Sequence, residues 1–445
     1  MNDLATHTHT LRLDAACVAD ADRSFSPGTL VLGLTGNGED ARSRVLYAGP
    51  PESLPAHLHS VARTIRLPGS TLLPAFANAH THLDLTGLGP RPYDPETESF
   101  DRWLSMIVRD RPTEPERVYE AVELGLRLSL AGGVVAVGDI AGQTSTPRIE
   151  PFRAMRASPV RGVSFLEYFA IGAGETRGFR GIRESLEAHA EDLAIEDPSL
   201  ARLGVQPHAP YSVSARAYED LAGLLPAHTP RSTHAAETLA EREFIARGTG
   251  PQRDFLHTLG VWDDSILETL GQGDSPIRHL EPILRSSGSP WLIAHANDTS
   301  DEDIRILAES GASVAFCPRS HRYFGHLRDL PAHRWPDMLG AGVAACLGTD
   351  SIVNLDTPDR ITPLDDARLL SREGRDAATP ETLLRMITQN PARALGMNPD
   401  EFAFDEGPLA GLVEIPGAGS LAEVFESDRA PSLLFVRNHS DLIGK

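Results

Sequence analysis

Ser70-Thr-Leu-Leu-Pro-Ala-Phe-Ala-Asn-Ala79, which runs directly into His80-Thr-His82, is the stretch of sequence that decides the fold. The apolar run predicts a buried strand, and residues two apart in a strand point to the same face. Both imidazoles can therefore reach one ion, and neutral imidazole is a good ligand for divalent transition metals. His7 and His9 repeat the spacing in a polar segment without an apolar run. We interpret that copy as a mobile tail and the copy at His80 as a metal site.

Seven further strand-like runs follow, and amphipathic, helix-like stretches separate most of them. The runs are residues 133–140, 160–169, 203–208, 231–237, 291–295, 313–318 and 344–350. Eight short strands that alternate with helices predict an α/β fold, a parallel sheet closed into a (β/α)8 TIM-type barrel. Chemistry in such a barrel gathers at the carboxyl ends of the strands. The polar side chains predicted to lie there are His80, His82, His208, His234, His295 and Asp350.

Short motifs at these strand ends occur in an order that is characteristic of one enzyme family. They are Pro74-Ala-Phe-Ala-Asn-Ala-His80-Thr-His82, Pro207-His208-Ala-Pro-Tyr-Ser212, His234-Ala-Ala-Glu237-Thr, Ala294-His295-Ala, Phe316-Cys-Pro-Arg-Ser320, Gly348-Thr-Asp350-Ser and Asn390-Pro-Ala-Arg-Ala-Leu395. Together they make the chain similar to the amidohydrolase superfamily. Within it, the chain resembles the single-metal branch of deaminases and chlorohydrolases, which includes adenosine-type, S-adenosylhomocysteine-type and aminodeoxyfutalosine-type deaminases.

The resemblance also implies a division into two domains. Residues 70–398 would form the barrel, and residues 1–69 and 399–445, which contain short strand-like runs, would meet in one small, discontinuous β-sandwich. The stretch 238–290 is long for a connection between two barrel strands and contains several glycines. Such a segment is typical of a lid or of a contact in a homodimer.

The lysine content narrows the type of metal site. The only lysine of the chain is Lys445, its last residue. Binuclear relatives use a carboxylated lysine on the fourth strand to bridge two metals, whereas this strand offers His208. The same composition rules out a P-loop lysine and an internal Schiff-base lysine. We therefore expect one metal ion per chain.

The resemblance assigns metal ligands and reaction roles. It implies that His80, His82, His234 and Asp350 hold one divalent transition metal, with Zn²⁺ as the first choice and Fe²⁺ as the alternative. The ion would make hydroxide from water, and Asp350 would accept the released proton. Glu237 would protonate a ring nitrogen and then departing ammonia, a task that calls for a raised pKa. His295 would orient the hydroxide and stabilise the tetrahedral intermediate.

Other residues are candidates for binding the substrate. We expect a loop after the first barrel strand to bring Trp103 over a heteroaromatic ring and Asp101 to a ribose or an amine. His208 would contact the substrate or orient a ligand, and Glu167 would contact the ring edge. Arg319 and His321 follow the seventh strand and indicate an anionic or oxygen-rich group on the substrate.

Charge and composition exclude several classes of partner. The formal net charge is −21, which argues against binding to nucleic acids or to anionic membrane surfaces. Three cysteines make no disulfide framework. We see no secretion signal, and no run approaches the ~20 apolar residues of a spanning helix. These features predict a cytoplasmic enzyme that acts on a small molecule.

The expected reaction is hydrolysis of a non-peptide C–N bond, with deamination of a purine-type ring or nucleoside-like compound as the first choice. The enzymatic alternative is a cyclic amidase or a triazine-type chlorohydrolase or aminohydrolase that uses the same ion. The product, whether ammonia, halide or a ring-opened acid, separates these reactions. The non-enzymatic alternative is a silent metal-binding scaffold, which has no need for the combination of Glu237, His295 and Asp350.

Overall fold

A computed structural model describes residues 9–35, 42–59, 63–142, 147–286 and 288–436. The amino-terminal part forms five strands, β1 (His9–Ala19), β2 (Ser24–Phe25), β3 (Gly28–Thr35), β4 (Arg42–Gly49) and β5 (Arg63–Pro74). Strand β1 pairs antiparallel with β2 and β3 and parallel with β5. His9 begins β1 opposite Leu34, so the expected mobile tail is wrong for His9, and His7 lies outside the described residues.

The middle of the chain forms the barrel. Its strands are β6 (Phe76–His82), β7 (Val134–Ala141), β8 (Arg161–Tyr168), β9 (Ala201–Pro207), β10 (Arg231–Ala235), β11 (Trp291–His295), β12 (Ser313–Phe316), β13 (Ala344–Leu347) and β14 (Asp350–Ser351). Neighbouring strands from β6 to β13 pair in parallel, and β14 pairs with β6 and closes the sheet. Strands β13 and β14 are two parts of the eighth strand. The predicted (β/α)8 barrel is therefore confirmed.

The first predicted barrel strand is in fact two strands. Strand β5 continues to Pro74 in the first sheet, and β6 begins at Phe76 in the barrel. The sequence does not reveal the step from one sheet to the other, because the apolar run is buried in both sheets. The predicted domain boundary between residues 69 and 70 falls inside β5, and the division into two domains stays a prediction.

The carboxyl-terminal part returns to the first sheet. It contains β15 (Gly407–Pro408), β16 (Gly411–Pro416) and β17 (Ser432–Val436). Strand β15 pairs with β4, and β16 pairs with both β5 and β17. Both ends of the chain thus meet beside the barrel, and the expected sandwich is built as one continuous mixed sheet.

Helices connect the strands and cover the outside of the barrel. They are α1 (Phe100–Asp110), α2 (Pro115–Ala131), α3 (Glu150–Arg156), α4 (Glu175–Ala188), α5 (Ala190–Leu193), α6 (Ala215–Ala222), α7 (Leu239–Arg247), α8 (Pro251–Thr258), α9 (Pro276–Ser286), α10 (Asp301–Ser310), α11 (Pro318–Tyr323), α12 (Trp335–Gly340), α13 (Pro363–Glu373), α14 (Pro380–Ile387), α15 (Gln389–Ala394) and α16 (Leu421–Glu426). Every residue of β7 and β8 is buried, as expected for a parallel sheet covered on both sides. Across the described ranges, no helix is both long and apolar enough to cross a membrane.

Two segments near the barrel mouth are helical. The stretch expected to be a loop around Trp103 is helix α1, whose first turn is capped by the Ser99 hydroxyl. The long connection after β10 contains α7, α8 and α9. Phe244 and Leu256 from that connection pack against Ile171 and Tyr211, which follow β8 and β9. Both segments therefore lie against the carboxyl ends of the strands.

Candidate metal centre and active site

Three histidines converge at the mouth of the barrel. His80 and His82 lie on β6 and His234 lies on β10. One ligand nitrogen from each lies within 4.8 Å of the other two. The His80 ring centre is 5.1 Å from that of His82 and 5.0 Å from that of His234. This arrangement lets the three imidazoles point to a common position, as the spacing in the sequence predicts for the first two.

The three imidazoles are in the form that binds a metal. Burial lowers the pKa of His80 and His82 well below the usual value and that of His234 to about 3. His234 Nδ1 lies 2.9 Å from the His208 carbonyl oxygen. Because a carbonyl can only accept, Nδ1 carries the hydrogen and leaves the Nε2 lone pair for a ligand bond. Each imidazole is thus neutral at physiological pH.

Asp350 lies beside this cluster because the eighth strand approaches β6 very closely. A Cβ atom at Gly348 would come within 2.9 Å of the His80 carbonyl oxygen, so only glycine fits there. The next residue, Thr349, donates its N–H to that oxygen at 3.0 Å. Asp350 Oδ1 then lies 3.6 Å from His82 Nε2, and its Oδ2 accepts a 2.6 Å hydrogen bond from the Ser320 hydroxyl. In the Gly-Thr-Asp motif, the glycine therefore allows the close approach to β6, and the aspartate supplies the carboxylate beside His82.

The backbone is strained at this end of the barrel. Four non-glycine residues of the described chain have a positive φ, namely Ala236, His295, Ala296 and Asp350, with values of 55°, 71°, 51° and 56°. All four lie at or just beyond the carboxyl ends of β10, β11 and the eighth strand. Such residues cost about 1–3 kcal/mol each and cluster at functional sites. The rest of the fold therefore stabilises an unfavourable backbone conformation that sets the direction of these side chains.

Glu237 and His295 face each other next to the cluster. Glu237 Oε1 is 3.7 Å from His295 Nε2, and both side chains are buried. Burial and, after it, the nearby Asp350 raise the pKa of Glu237 well above its usual value. Burial lowers the pKa of His295 to about 3. The raised pKa favours the protonated form of Glu237, and the lowered pKa favours neutral His295, which suits a proton donor beside a hydrogen-bonding imidazole.

The donor set fits a divalent ion. Both ring nitrogens of His80 and Nδ1 of His82 are buried without a hydrogen-bond partner in the part of the chain that the structure describes. Buried polar atoms without partners are costly, and coordination of a cation would satisfy one nitrogen of each ring. Three imidazole nitrogens with one carboxylate are ligands that zinc and iron share.

A second possible ligand set shares His234 and competes with the first. Glu167, His208 and His234 also bring one ligand atom each within 4.8 Å of one another. His234 has only Nε2 to offer, because Nδ1 is hydrogen-bonded, so it cannot serve both sets. Arg111 Nη1 lies 3.7 Å from Glu167 Oε2 and would repel a cation there. The set of His80, His82 and His234 is the better metal site.

A cavity of about 290 Å³ opens above the metal ligands. Its inner end is polar and includes His82, His234, Glu237, His295 and Asp350. The outer walls are mostly apolar and come from α1, from α8 and from the residues that follow β8. These apolar residues include Leu104, Ile107, Val108, Ile171, Phe255, Leu256 and Leu259. The cavity therefore places a polar reaction site at the base of an apolar channel.

The predicted substrate residues divide into three groups. Trp103, Glu167 and His208 line the cavity. Asp101 belongs to α1, but its side chain lies outside the part that the structure describes. His321 is buried and is absent from the described lining of the cavity.

Arg319, which was predicted to face the substrate, makes an ion pair outside the cavity. Its Nη2 donates to Asp366 Oδ2 at 2.8 Å and to the Thr362 carbonyl oxygen at 2.9 Å, and it is absent from the described lining of the cavity. This guanidinium therefore ties α11 to the start of α13, because a buried cation needs a carboxylate partner.

Arg111 lines the cavity and was missed by the sequence analysis. Its Nε donates to Asp84 Oδ2 at 2.7 Å, and its guanidinium faces Glu167. The side chain is buried, whereas Arg109, two residues earlier, is exposed. The one signal in the sequence is Asp84, a carboxylate in an apolar context just after His82, which calls for a buried cation.

Comparison with known proteins decides the family. A family model described as the amidohydrolase family matches residues 71–430. The chain belongs to the amidohydrolase family. This result confirms the predicted family and makes the chain an enzyme of the hydrolase class, so the silent scaffold is no longer an alternative.

Relatives of this amidohydrolase include named deaminases. The chain is 29% identical over 380 residues to an aminodeoxyfutalosine deaminase of Deinococcus radiodurans, with 83% of this chain and 81% of that enzyme covered. It is 27% identical over 411 residues to a 5-methylthioadenosine/S-adenosylhomocysteine deaminase of Symbiobacterium thermophilum, with coverage of 88% and 85%. An atrazine chlorohydrolase from Arthrobacter aurescens, complexed with zinc, has a similar fold, with a TM-score of 0.69, 19% identity and coverage of 98% and 97%.

Substitution of Arg111 in this amidohydrolase tests whether the cavity binds the substrate. Arg111→Lys keeps the positive charge but loses the planar fork that spans Asp84 and Glu167. We expect KM for the substrate to rise about tenfold while kcat changes much less, because the metal ligands are untouched. Steady-state kinetics measures both values. Arg109→Lys is the matched control, since that side chain is 70% exposed; equal effects of the two substitutions would contradict a role for Arg111 in the cavity.

Proposed function

We propose that this amidohydrolase removes the exocyclic amino group of an adenine nucleoside by hydrolysis and releases ammonia. The observation that carries the proposal is the position of Glu237, a buried carboxyl group with a raised pKa, 3.7 Å from His295 and next to the histidine cluster. A ring amine is a poor leaving group, so its departure requires a proton donor at this place. The names of the deaminase relatives support the same reaction.

The residues divide the proton transfers between them. When bound, a divalent ion supplies Lewis acidity and lowers the pKa of water toward neutrality. Asp350, whose pKa burial raises to about 6, accepts the proton that water loses. Glu237 donates a proton to the ring nitrogen beside the attacked carbon. The departing amine takes the proton that Asp350 accepted from water, and the hydroxyl proton of the intermediate returns to Glu237 as ammonia leaves. His295 donates a hydrogen bond to the oxygen that is added to that carbon.

We propose Zn²⁺ as the ion, held by His80, His82, His234 and Asp350. The zinc in the structure of the atrazine chlorohydrolase supports this choice. Because the two possible ligand sets share His234, purified protein should contain about one zinc or iron atom per chain. Elemental analysis after dialysis against metal-free buffer measures this ratio. Two firmly held ions per chain would contradict the single site.

The apolar channel indicates which nucleosides fit. Val108 on α1 and Leu259, the residue after α8, line the cavity, and these side chains are 45% and 49% exposed. Large apolar side chains at a cavity entrance favour an apolar group on the ligand. We therefore propose that the nucleoside has an apolar substituent on the ribose, in agreement with the names of the methylthioadenosine deaminase relatives.

A screen for ammonia release tests the proposed function. We expect release from adenosine and faster release from 5′-alkylthio and 5′-aryl derivatives of adenosine, with no release from guanine or cytosine. Ammonia is measured by a coupled assay, and the ring product by its ultraviolet spectrum. Chloride from a chlorinated triazine, or a ring-opened acid from a cyclic amide, without ammonia from any adenine nucleoside, would favour the alternative reactions instead.

A further inference from the structure

The peptide group of Glu237 is held from both sides by buried side chains. The Glu237 N–H donates to Glu241 Oε2 at 2.8 Å, and the Glu237 carbonyl oxygen accepts from Asn297 Nδ2 at 3.1 Å. Glu241 is fully buried and Asn297 is 2% exposed. Glu241 lies in the first turn of α7, and Asn297 follows β11, so the two contacts come from different connections at the barrel mouth.

This peptide lies next to residues with an unfavourable backbone conformation. Ala236, directly before Glu237, has a φ of 55°, and Ala296, directly before Asn297, has a φ of 51°. A left-handed alanine persists only when its surroundings hold it. The Asp298 N–H also donates to the Ala236 carbonyl oxygen at 2.9 Å. The two connections after β10 and β11 are therefore tied together around the peptide that presents Glu237.

We propose that Glu241 and Asn297 are positioning residues that clamp the Glu237 peptide and so aim its carboxyl group at the substrate and at His295. The inference rests on the proposed function only in the role of Glu237. Neither residue is part of the described cavity lining, so each acts through Glu237.

Burying the Glu241 carboxyl group costs folding free energy. Burial raises the pKa of Glu241 to about 7, and its negative charge adds to the rise in the pKa of Glu237. A buried carboxyl group on α7 is expensive unless it makes specific hydrogen bonds. The hydrogen bond to the Glu237 N–H and its position at the helix start offset that cost.

Paired substitutions at Glu241 test the clamp. Glu241→Ala leaves the Glu237 N–H without its acceptor, so we expect kcat to fall about 100-fold with KM changed less than about threefold and metal content unchanged. Glu241→Gln keeps an acceptor oxygen and should recover most of this loss. Asn297→Ala should lower kcat about tenfold by the same route. Glu243→Gln, also on α7, is the control because Glu243 bonds to Thr249.

A second measurement does not depend on substrate. Amide hydrogen exchange at Glu237 should be at least about ten times faster in Glu241→Ala than in the wild type, and nearly unchanged in Glu241→Gln. If Glu241→Ala does not fold, Glu241→Gln and Asn297→Ala carry both measurements. If no adenine nucleoside yields ammonia, the proposed function fails while the exchange result still decides the clamp. Wild-type kcat and exchange in Glu241→Ala, or an equal loss of kcat in Glu241→Ala and Glu241→Gln, would overturn the clamp.

Discussion

Glu237→Gln should lower kcat by about 10²–10⁴-fold while metal content and folding stay those of the wild type. The amide has nearly the shape of the carboxylic acid, but it cannot transfer a proton to the ring nitrogen. Burial raises the pKa of Glu237 and so favours its uncharged form, which the amide resembles in volume and charge. The effect of the substitution is therefore confined to chemistry.

Kinetics, elemental analysis and a thermal unfolding curve together check this result. KM should stay within a few-fold of the wild-type value, since an interaction made only in the transition state affects kcat. The Glu243→Gln variant on α7 again serves as the control. Turnover at the wild-type rate in Glu237→Gln would remove Glu237 from the mechanism.

Asp350→Ala should cause the other large loss, in metal content as well as in rate. The substitution removes the proposed ligand, whose carboxylate lies 3.6 Å from His82 Nε2, and with it the proposed acceptor of the proton of water. Loss of a general base alone costs about 10²–10⁴-fold in rate, and the weakened metal site adds to this. Less than one ion per chain and kcat below about one thousandth of the wild-type value are the expected outcome.

Adding metal separates the two roles of Asp350. Excess Zn²⁺ should restore metal content in Asp350→Ala but not activity, because the proton acceptor is still missing. Asp356→Ala is the control, since Asp356 lies in the same connection and its side chain is 83% exposed. Full activity in Asp350→Ala would show that neither role belongs to this residue.

The sequence predicted the position of some residues of the site but not of others. His80, His82, His234 and Asp350 follow from strand-end motifs, because a barrel brings every strand end to one face. Trp103 lines the cavity, but it was predicted to lie in a loop, whereas Ser99 caps a helix there. Arg319 was assigned to the substrate because it follows the seventh strand. Its partner Asp366 lies 47 residues away along the chain, so the sequence does not reveal the ion pair. Charged residues cannot be told apart as buried or exposed until their partners are known.

The sequence by itself determined the barrel and the family, because strand periodicity and short motifs are local properties of the chain. The metal ligands are predictions that follow from the family resemblance. Only the tertiary structure decided how Arg111, Glu241 and Asn297 take part. Arg111 and Asn297 depend on contacts between distant parts of the chain that packing brings together, such as that between Asn297 and Glu237, which are 60 residues apart. Glu241 makes a local contact, because its carboxylate reaches back four residues to the Glu237 N–H. The left-handed φ of Ala236 likewise has no local signal, since alanine avoids that conformation unless the surrounding structure imposes it.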